Sequence, residues 1–394
     1  MTKAKHSLPA INDIFPDNGK ILLTGSGKQF VERIGVEAIR HAILSVMMGE
    51  NIRTQTEPLS RRRIAQISGA LVVLFAQGCM QIDDFIDHLS TMAINQITGA
   101  KKNDAIATWP AKWLIGLTGK SVQNVLRNDH KLIENYIADF EAAVKESAAK
   151  CRAQLGDLRM SLGFVEDKSG KRAELDWEGI TRLTTAIGSQ TLTIRGSDKS
   201  LYGKLFERLI LGSLLTILGF ERVDPATNSR TSKVFWLSDS SDIRESDATL
   251  LFKPGKLARF DVGFIGPGNS EISKDKLSRF AREMELSGNK DSSVTFIIVD
   301  RLPSTGKTEK AAKKIGAEII QMSMQYWPRD LARRLGERLN IKHELQTMPD
   351  NKIRDYLTDK LGNIPVQDFL SNVSFSDVIS ASEVHESQND YEVD

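Results

Sequence analysis

Two acidic residues occupy unusual places in a pair of short apolar segments. Asp247 opens DATLLF (247–252), and Asp261 lies in the middle of LARFDVGFIG (257–266). A carboxylate inside an apolar strand is costly unless it is paired or binds a metal. Because the turn KPGK (253–256) predicts an antiparallel hairpin, the two carboxylates are expected to converge at one end of it. Two convergent oxygens suit Mg²⁺, which takes one or two carboxylates and keeps several waters.

Other polar residues surround this pair in the sequence. Glu271 would add a third oxygen, and Lys274 or Lys276, at the start of a predicted helix, would orient a water and stabilise charge on a phosphate. Glu207, on a preceding predicted helix, is expected to hold a water or support the site. The candidate catalytic residues are therefore Asp247, Asp261, Glu271, Lys274, Lys276 and Glu207, and the candidate metal ligands are Asp247, Asp261 and Glu271.

Each of these residues also has an ordinary structural explanation. Asp247 could cap a turn, Glu271 could be an acid favoured by a helix dipole, and the lysines could be solvated. Their combination in one run of helices and strands favours the functional interpretation.

The predicted elements that position these residues form an α/β arrangement that begins with an antiparallel meander. From residue 200 the pattern predicts a helix within 200–223 that ends near Gly219, strands (233–239, 248–252 and 257–266), a helix (272–285), a strand (293–300), a basic helix from 307 and a strand EIIQM. Earlier in the chain, apolar spacing predicts helices within 31–48, 61–89 and 132–155.

Bulk composition excludes several classes of protein. The 394 residues are 40% hydrophobic with a formal net charge of +2, so the chain can bury a full core and is not a polycation. Two distant cysteines and six scattered histidines argue against a disulfide framework or a zinc site. The N-terminal residues lack the apolar core of a signal peptide, and no apolar window reaches about 20 residues. These features predict a cytoplasmic protein with no membrane association.

Two basic stretches have alternative interpretations. ILLTGSGKQF (21–30) contains a Gly-Lys pair but lacks the other residues of a phosphate-binding loop, so it is interpreted as a turn with a lysine. SRRRIAQ (60–66) is either a solvated helix start or a phosphate contact.

The predicted frame and its acids resemble the PD-(D/E)XK nuclease superfamily. More narrowly, DVGFIGPGNSEISKDKLSRF (261–280) resembles the corresponding segment of type II restriction endonucleases of the CfrBI type, and the resemblance covers roughly residues 185–335. It is carried by Gly266-Pro267-Gly268-Asn269, Glu271, Asp275-Lys276 and Arg279, with FIIVDRLP (296–303) and IIQMSMQYW (319–327) in support.

The resemblance implies a Mg²⁺-dependent, sequence-specific endonuclease of double-stranded DNA, working as a homodimer. A cognate DNA methyltransferase is expected genetically but not as a stable subunit. The implied domains are a mainly helical region (1–165) for DNA binding or dimerisation, a nuclease domain with a mixed central sheet flanked by helices (166–345), and a C-terminal extension (346–394). The end of that extension is acidic and is expected to be disordered.

The resemblance implies roles for individual residues, with one clear departure. Asp247 matches the strand-opening aspartate, although Ser246 replaces the usual proline before it, and Asp261 matches the acid of the D/E-x-K element. Gly263 stands where that element has lysine, so Lys274 or Lys276 would supply the missing base.

A second mapping takes Asp261 and Glu271 as the two acids, with Ser273 at the usual lysine position and Lys274 beside it. The first mapping is preferred because 269–280 has the pattern of a turn and a helix.

Two other functions remain open from the sequence. The same fold could serve a structure-selective repair or junction nuclease, or a DNA-binding protein that has lost activity, which the missing lysine would favour. Arg195, Arg230, Lys233 and Arg244 are speculative contacts to bases.

Overall fold

The computed structural model describes most of the chain. The described residues are 8–100, 106–118, 130–155, 165–166, 172–173, 177–226, 230, 232–238, 246–263, 293–301 and 316–374. Glu271, Lys274, Lys276, Arg244, the predicted helices 272–285 and from 307, and the acidic tail lie outside them.

The described part of the chain contains eleven α-helices and eight strands. The helices are α1 (Ile11–Ile14), α2 (Asp17–Thr24), α3 (Gly27–Ile34), α4 (Val36–Met47), α5 (Ile52–Gln81), α6 (Phe85–Gly99), α7 (Trp109–Leu114), α8 (His130–Leu155), α9 (Trp177–Ile217), α10 (Trp327–Leu339) and α11 (Asp350–Gly362). The strands are β1 (Val165–Glu166), β2 (Arg172–Ala173), β3 (Glu221–Arg222), β4 (Val234–Leu237), β5 (Ala248–Lys253), β6 (Lys256–Gly263), β7 (Ser293–Val299) and β8 (Glu318–Gln321). Short 3₁₀ helices span Ile106–Thr108, Glu344–Thr347 and Val366–Leu370.

The chain divides into two compact units. Among the described residues, unit 1 takes those within Met1–Gly25 and Ser60–Asp198, and unit 2 takes those within Ser26–Leu59 and Lys199–Ser374. The domain limits predicted at residues 165 and 345 remain a prediction.

Unit 1 is built mainly from helices around an aromatic core. Trp109 and Trp113 are buried, and the Trp113 indole donates to the Thr193 hydroxyl at 3.1 Å. Arg63, from the basic run 60–66, is fully buried and forms an ion pair with Asp198. The Arg63 side chain is therefore exposed neither to solvent nor to a phosphate. A buried guanidinium group requires a charged partner, and Asp198 is that partner.

Unit 2 contains a mixed six-stranded sheet in the order β3-β4-β5-β6-β7-β8. The strands β4, β5 and β6 form an antiparallel meander, whereas β6, β7 and β8 are parallel. Pro254 and Gly255, the latter with φ of 73°, make the predicted turn between β5 and β6. The predicted α/β fold with a mixed sheet and a helical N-terminal region is confirmed.

Helices from distant parts of the sequence complete unit 2. The Ser26 hydroxyl caps α3 by accepting a hydrogen bond from the backbone N–H of Gln29. The Trp327 indole donates to the Val46 carbonyl at 2.9 Å. Lys28, from the Gly-Lys stretch, lies in α3 and forms a 2.8 Å ion pair with Asp368. The segment 21–30 therefore contributes helical structure, and its lysine is bound by a carboxylate.

Two predicted helices differ from the structure in their bounds. The predicted helical segment 31–48 is interrupted at Gly35, whose φ of 114° ends α3 before α4 begins. The helix predicted to end near Gly219 does end there, at Ile217 just before Gly219 with φ of 85°, but it begins earlier, at Trp177. The short strand β3, which the sequence pattern did not predict, follows it.

One helix has the length and apolar composition of a membrane span. An 18-residue window within α5 has a mean hydropathy of 1.4, and 39% of it is buried. A single helix of this kind is weak support for a membrane span, since core helices of globular proteins have the same properties.

Candidate active site

The alternation of side chains along β6 explains how an aspartate fits in an apolar strand. Phe260 and Val262 point to one face of the sheet and are fully buried, and Phe260 stacks on Phe296 with ring centroids 5.3 Å apart. Arg259 and Asp261 point to the opposite face. The strand therefore packs one face into the core and carries its charged groups on the other.

Asp247 and Asp261 meet at one end of the hairpin, as the sequence predicted. Ala248 faces Phe260 in the antiparallel register, so Asp247, one residue earlier, faces Asp261 on the same side of the sheet. The Asp247 carboxylate accepts a 2.7 Å hydrogen bond from the Val262 N–H, next to Asp261. Asp261 is only 6% exposed. The two acids form a pair, which we call the acid pair, at the carboxyl ends of the parallel strands.

Hydrogen bonds hold the start of β5 in place. The Ser238 N–H donates to the Asp247 carbonyl at 3.2 Å, and the Ser238 hydroxyl donates to the Ser246 carbonyl. The Ser246 hydroxyl in turn lies 3.2 Å from the Thr249 hydroxyl and is buried. Ser246, the residue directly before Asp247, is thus held in place by hydrogen bonds of its side chain and its carbonyl.

Helix α9 lies beside this end of the sheet. Arg208 donates to the carbonyls of Ser238 and Phe369, and Ser238 is bonded to Asp247. Glu207, next to Arg208 in the helix, is half-buried, and its role in supporting the site remains a prediction. Burial lowers the pKa of Lys204, one turn earlier, while the Glu207 charge opposes that shift.

The acid pair fits a small, hard divalent cation in the chemistry of its donors. Two carboxylates on facing strands, one of them buried, match the oxygen ligands that Mg²⁺ prefers. Among the residues that the structure describes, no group of three or more His, Cys, Asp or Glu side chains is arranged to hold a metal. Glu271, the predicted third ligand, lies outside those residues, as do Lys274 and Lys276.

Two of the speculative base contacts, Arg230 and Lys233, lie away from the acid pair within unit 2. Arg230 forms an ion pair with Glu221, and Lys233 precedes β4, both at the opposite end of the sheet from Asp247. Arg195 belongs to unit 1, and Arg244 lies outside the described residues.

Asp300 is a residue that the sequence reasoning did not single out. It follows the last residue of β7, its N–H donates to the Gly263 carbonyl at 3.3 Å, and it is 7% exposed. Its carboxylate accepts a 3.2 Å hydrogen bond from the Asn51 amide. Burial raises the pKa of Asp300, and the charges of Arg301 and Arg53 act against that shift. The signal for it was an acid that ends the apolar run FIIVD, because parallel strands finish at one edge of the sheet.

Two comparisons with known proteins give matches, and both matches are to the same kind of enzyme. The family model described as CfrBI restriction endonuclease matches residues 36–307. The type II restriction enzyme CfrBI of Citrobacter freundii is 33% identical over 364 residues, which cover 90% of this chain and 97% of that enzyme. No solved structure gives a significant match.

Proposed function

The chain belongs to the CfrBI restriction endonuclease family, and from that premise we propose that Asp247 and Asp261 hold the Mg²⁺ with which it hydrolyses DNA. Family membership makes it a site-specific deoxyribonuclease with DNA as its substrate. The observation that supports the proposed site is the hydrogen bond that the Val262 N–H donates to the Asp247 carboxylate. It holds that carboxylate next to Asp261 at one end of the sheet. We further propose that unit 2 carries the PD-(D/E)XK core.

The proposed reaction is hydrolysis of a phosphodiester bond by a water attacking in line. A bound Mg²⁺ would supply Lewis-acid stabilisation of the phosphate and lower the pKa of a coordinated water. Asp247 and Asp261 would hold the cation, with Glu271 as a third ligand. The Asp261 carboxylate has little room to reorient because its strand is paired on both sides. Glu207 would accept a hydrogen bond from a water near the phosphate.

A lysine is the remaining requirement of this chemistry. Gly263 has no side chain to offer, so Lys274 or Lys276 is proposed to donate to the phosphate as negative charge develops on it. Loss of DNA cleavage in the variant of one lysine, with cleavage retained in the variant of the other, would show which lysine has this role.

The proposed assembly follows from the substrate. Cutting both strands of a palindromic site favours a two-fold dimer, in which each active site meets one strand. A cognate methyltransferase encoded with the enzyme would protect the host DNA without binding the enzyme stably. We place the enzyme in the cytoplasm, where that DNA is.

The test compares the wild-type protein with Asp261→Asn and Asp247→Asn on phage-length duplex DNA. Each reaction is run with Mg²⁺ and with chelator, and products are separated on a gel. The isosteric changes remove one negative charge each, and we expect cleavage to fall by about 10²-fold or more, the scale seen when one electrostatic group is lost from an active site. Asp355→Asn, an exposed acid on α11, is the matched control and should cut normally.

The outcomes separate the competing functions. Discrete bands that require Mg²⁺ and vanish in both variants would support the proposal, and sequencing the ends would give the site. A smear would indicate a non-specific or structure-selective nuclease. Intact DNA in every lane, from protein shown to be folded, would indicate a DNA-binding protein without activity.

A further inference from the structure

Two exposed arginines, Arg53 and Arg301, act electrostatically on the buried carboxylate of Asp300 at the carboxyl end of β7. Arg53 is in the first turn of α5, and Arg301 directly follows Asp300. We propose that Arg53 and Arg301, held in place by Asn51 and Asp300, bind DNA phosphates that flank the cleaved bond. This inference rests on the proposed function, and it assigns DNA contacts to residues outside the proposed catalytic set.

A single side chain ties the start of α5 to the sheet. The Asn51 oxygen accepts from the Arg53 N–H at 2.9 Å, and the Asn51 amide donates to the Asp300 carboxylate at 3.2 Å. The backbone of Arg53 is thus linked through Asn51 to the residue that follows β7. Asp300 is only 7% exposed, so the end of this link at β7 is buried, and the link restricts where the backbone of Arg53 can lie.

The same residue ties this cluster to the strand that carries Asp261. The Asp300 N–H donates to the carbonyl of Gly263, two residues beyond Asp261 in β6. With a rise of about 3.3 Å per residue and about 4.8 Å between strands, the Cα atoms of Asp300 and Asp261 are about 11 Å apart. Since each DNA strand carries one charge per about 3.4 Å of helix axis, phosphates within about three nucleotides of the cleaved bond are in reach.

The charges of the cluster favour an anionic ligand. The charges of Arg53 and Arg301 both act against the rise in the pKa of Asp300, and with Asp300 ionised these three residues carry a net charge of +1. Both arginines are exposed, and within the described part of the chain neither forms an ion pair. A guanidinium group in this setting binds phosphate with two parallel hydrogen bonds.

The alternative is that both arginines are simply solvated. That alternative and the proposal differ in the salt dependence of DNA binding, since each phosphate contact releases counterions when it forms. Loss of a phosphate contact also weakens binding by the same factor for every sequence, whereas loss of a contact to a base edge changes the sequence preference.

The test is a salt titration of DNA affinity in the Asp261→Asn background, which keeps the duplex intact. Fluorescence anisotropy with a short duplex gives the slope of log Kd against log salt for this parent, for Arg53→Ala and for Arg301→Ala. We expect each alanine variant to reduce the magnitude of the slope by about 0.9 and to weaken binding of cognate and unrelated duplexes by the same factor. Arg53→Lys, which keeps the charge, should restore the slope.

Arg338→Ala is the matched control. Arg338 is also exposed, but it pairs with Glu318, which is in register with Phe296 and so belongs to the face of the sheet opposite to Asp261; its loss should leave the slope unchanged. Slopes equal to the parent for both arginine variants would overturn the inference, and so would a changed sequence preference. A parent without salt-dependent DNA binding would instead count against the proposed function.

Discussion

At the residue scale, the structure separates side chains that serve the fold from those available for chemistry. Arg63 forms an ion pair with Asp198, and Lys28 forms one with Asp368. Two basic residues from stretches whose role the sequence did not settle therefore have structural partners. Asp247 and Asp261 lie together on the face of the sheet that does not carry Phe260. A charged residue therefore needs a known environment before it can be assigned a role.

His343 gives a prediction at this scale, for stability against pH. Its Nδ1 accepts from the Leu345 N–H and its Nε2 lies 3.1 Å from the Ile217 carbonyl, an arrangement that the neutral ring satisfies. Burial lowers the pKa of His343 from its ordinary value of 6.5. The unfolded chain then binds a proton that the folded chain does not, so the free energy of unfolding falls as pH drops below about 6.5 and towards the lowered pKa.

Urea unfolding between pH 7.5 and pH 5 checks this expectation. The stability of His343→Gln should fall less over that range than the stability of the wild-type protein. His41→Gln, on the exposed side of α4, is the control and should follow the wild type. Parallel curves for the wild type and both variants would show that His343 does not contribute.

At the element scale, the position of the acid pair depends on contacts from several segments. Helix α9 reaches the start of β5 through Arg208 and Ser238, and the start of α5 reaches the end of β7 through Asn51 and Asp300. The hairpin alone would bring the two aspartates near each other. The surrounding helices are what hold that end of the sheet still.

Arg208→Ala tests this at the element scale. The change removes donors from the Ser238 and Phe369 carbonyls, and we expect the free energy of unfolding to fall by about 1–2 kcal/mol. Because Ser238 orders Asp247, we also expect a lower single-turnover cleavage rate per folded molecule.

The control for that variant is Arg333→Ala. Arg333 also donates to a backbone carbonyl, that of Gln346, but it belongs to α10, which packs on β8. The Arg333→Ala protein should be less stable than the wild type and should cleave DNA at the same rate. Equal cleavage rates for wild type and Arg208→Ala would show that α9 only stabilises the fold.

At the scale of the whole molecule, family membership extends over nearly the entire chain. The match to the Citrobacter freundii enzyme covers 90% of this chain, so both compact units belong to the conserved enzyme and not only the sheet. Unit 2 contains the acid pair, and the role of the helical region 1–165, in DNA binding or dimerisation, remains a prediction.

The dimer is the prediction at this scale. Light scattering after size exclusion should give the mass of two chains of 43.8 kDa plus one duplex for the protein bound to a duplex with its site. The physical reason is that two antiparallel DNA strands require two active sites related by a two-fold axis. A mass equal to one chain plus one duplex, at concentrations where both strands are cut, would contradict it.

The sequence by itself determined the local features of this protein. The meander, its tight turn and the convergence of Asp247 with Asp261 follow from short-range patterns, because strand alternation and hairpin register depend on neighbouring residues. The acids could be predicted as a pair for the same reason, and the family resemblance came from motifs within one segment.

Only the tertiary structure decided what joins those features across the chain. Residues 26–59 lie in the same compact unit as the sheet, although more than 100 residues separate them from it. The contacts of Asn51 with Asp300 and of Arg208 with Ser238 have no local signature, since each depends on how distant segments pack. Hydrophobic burial selects that packing without a directional code in the sequence, so the partners of a polar side chain appear only once the core has formed.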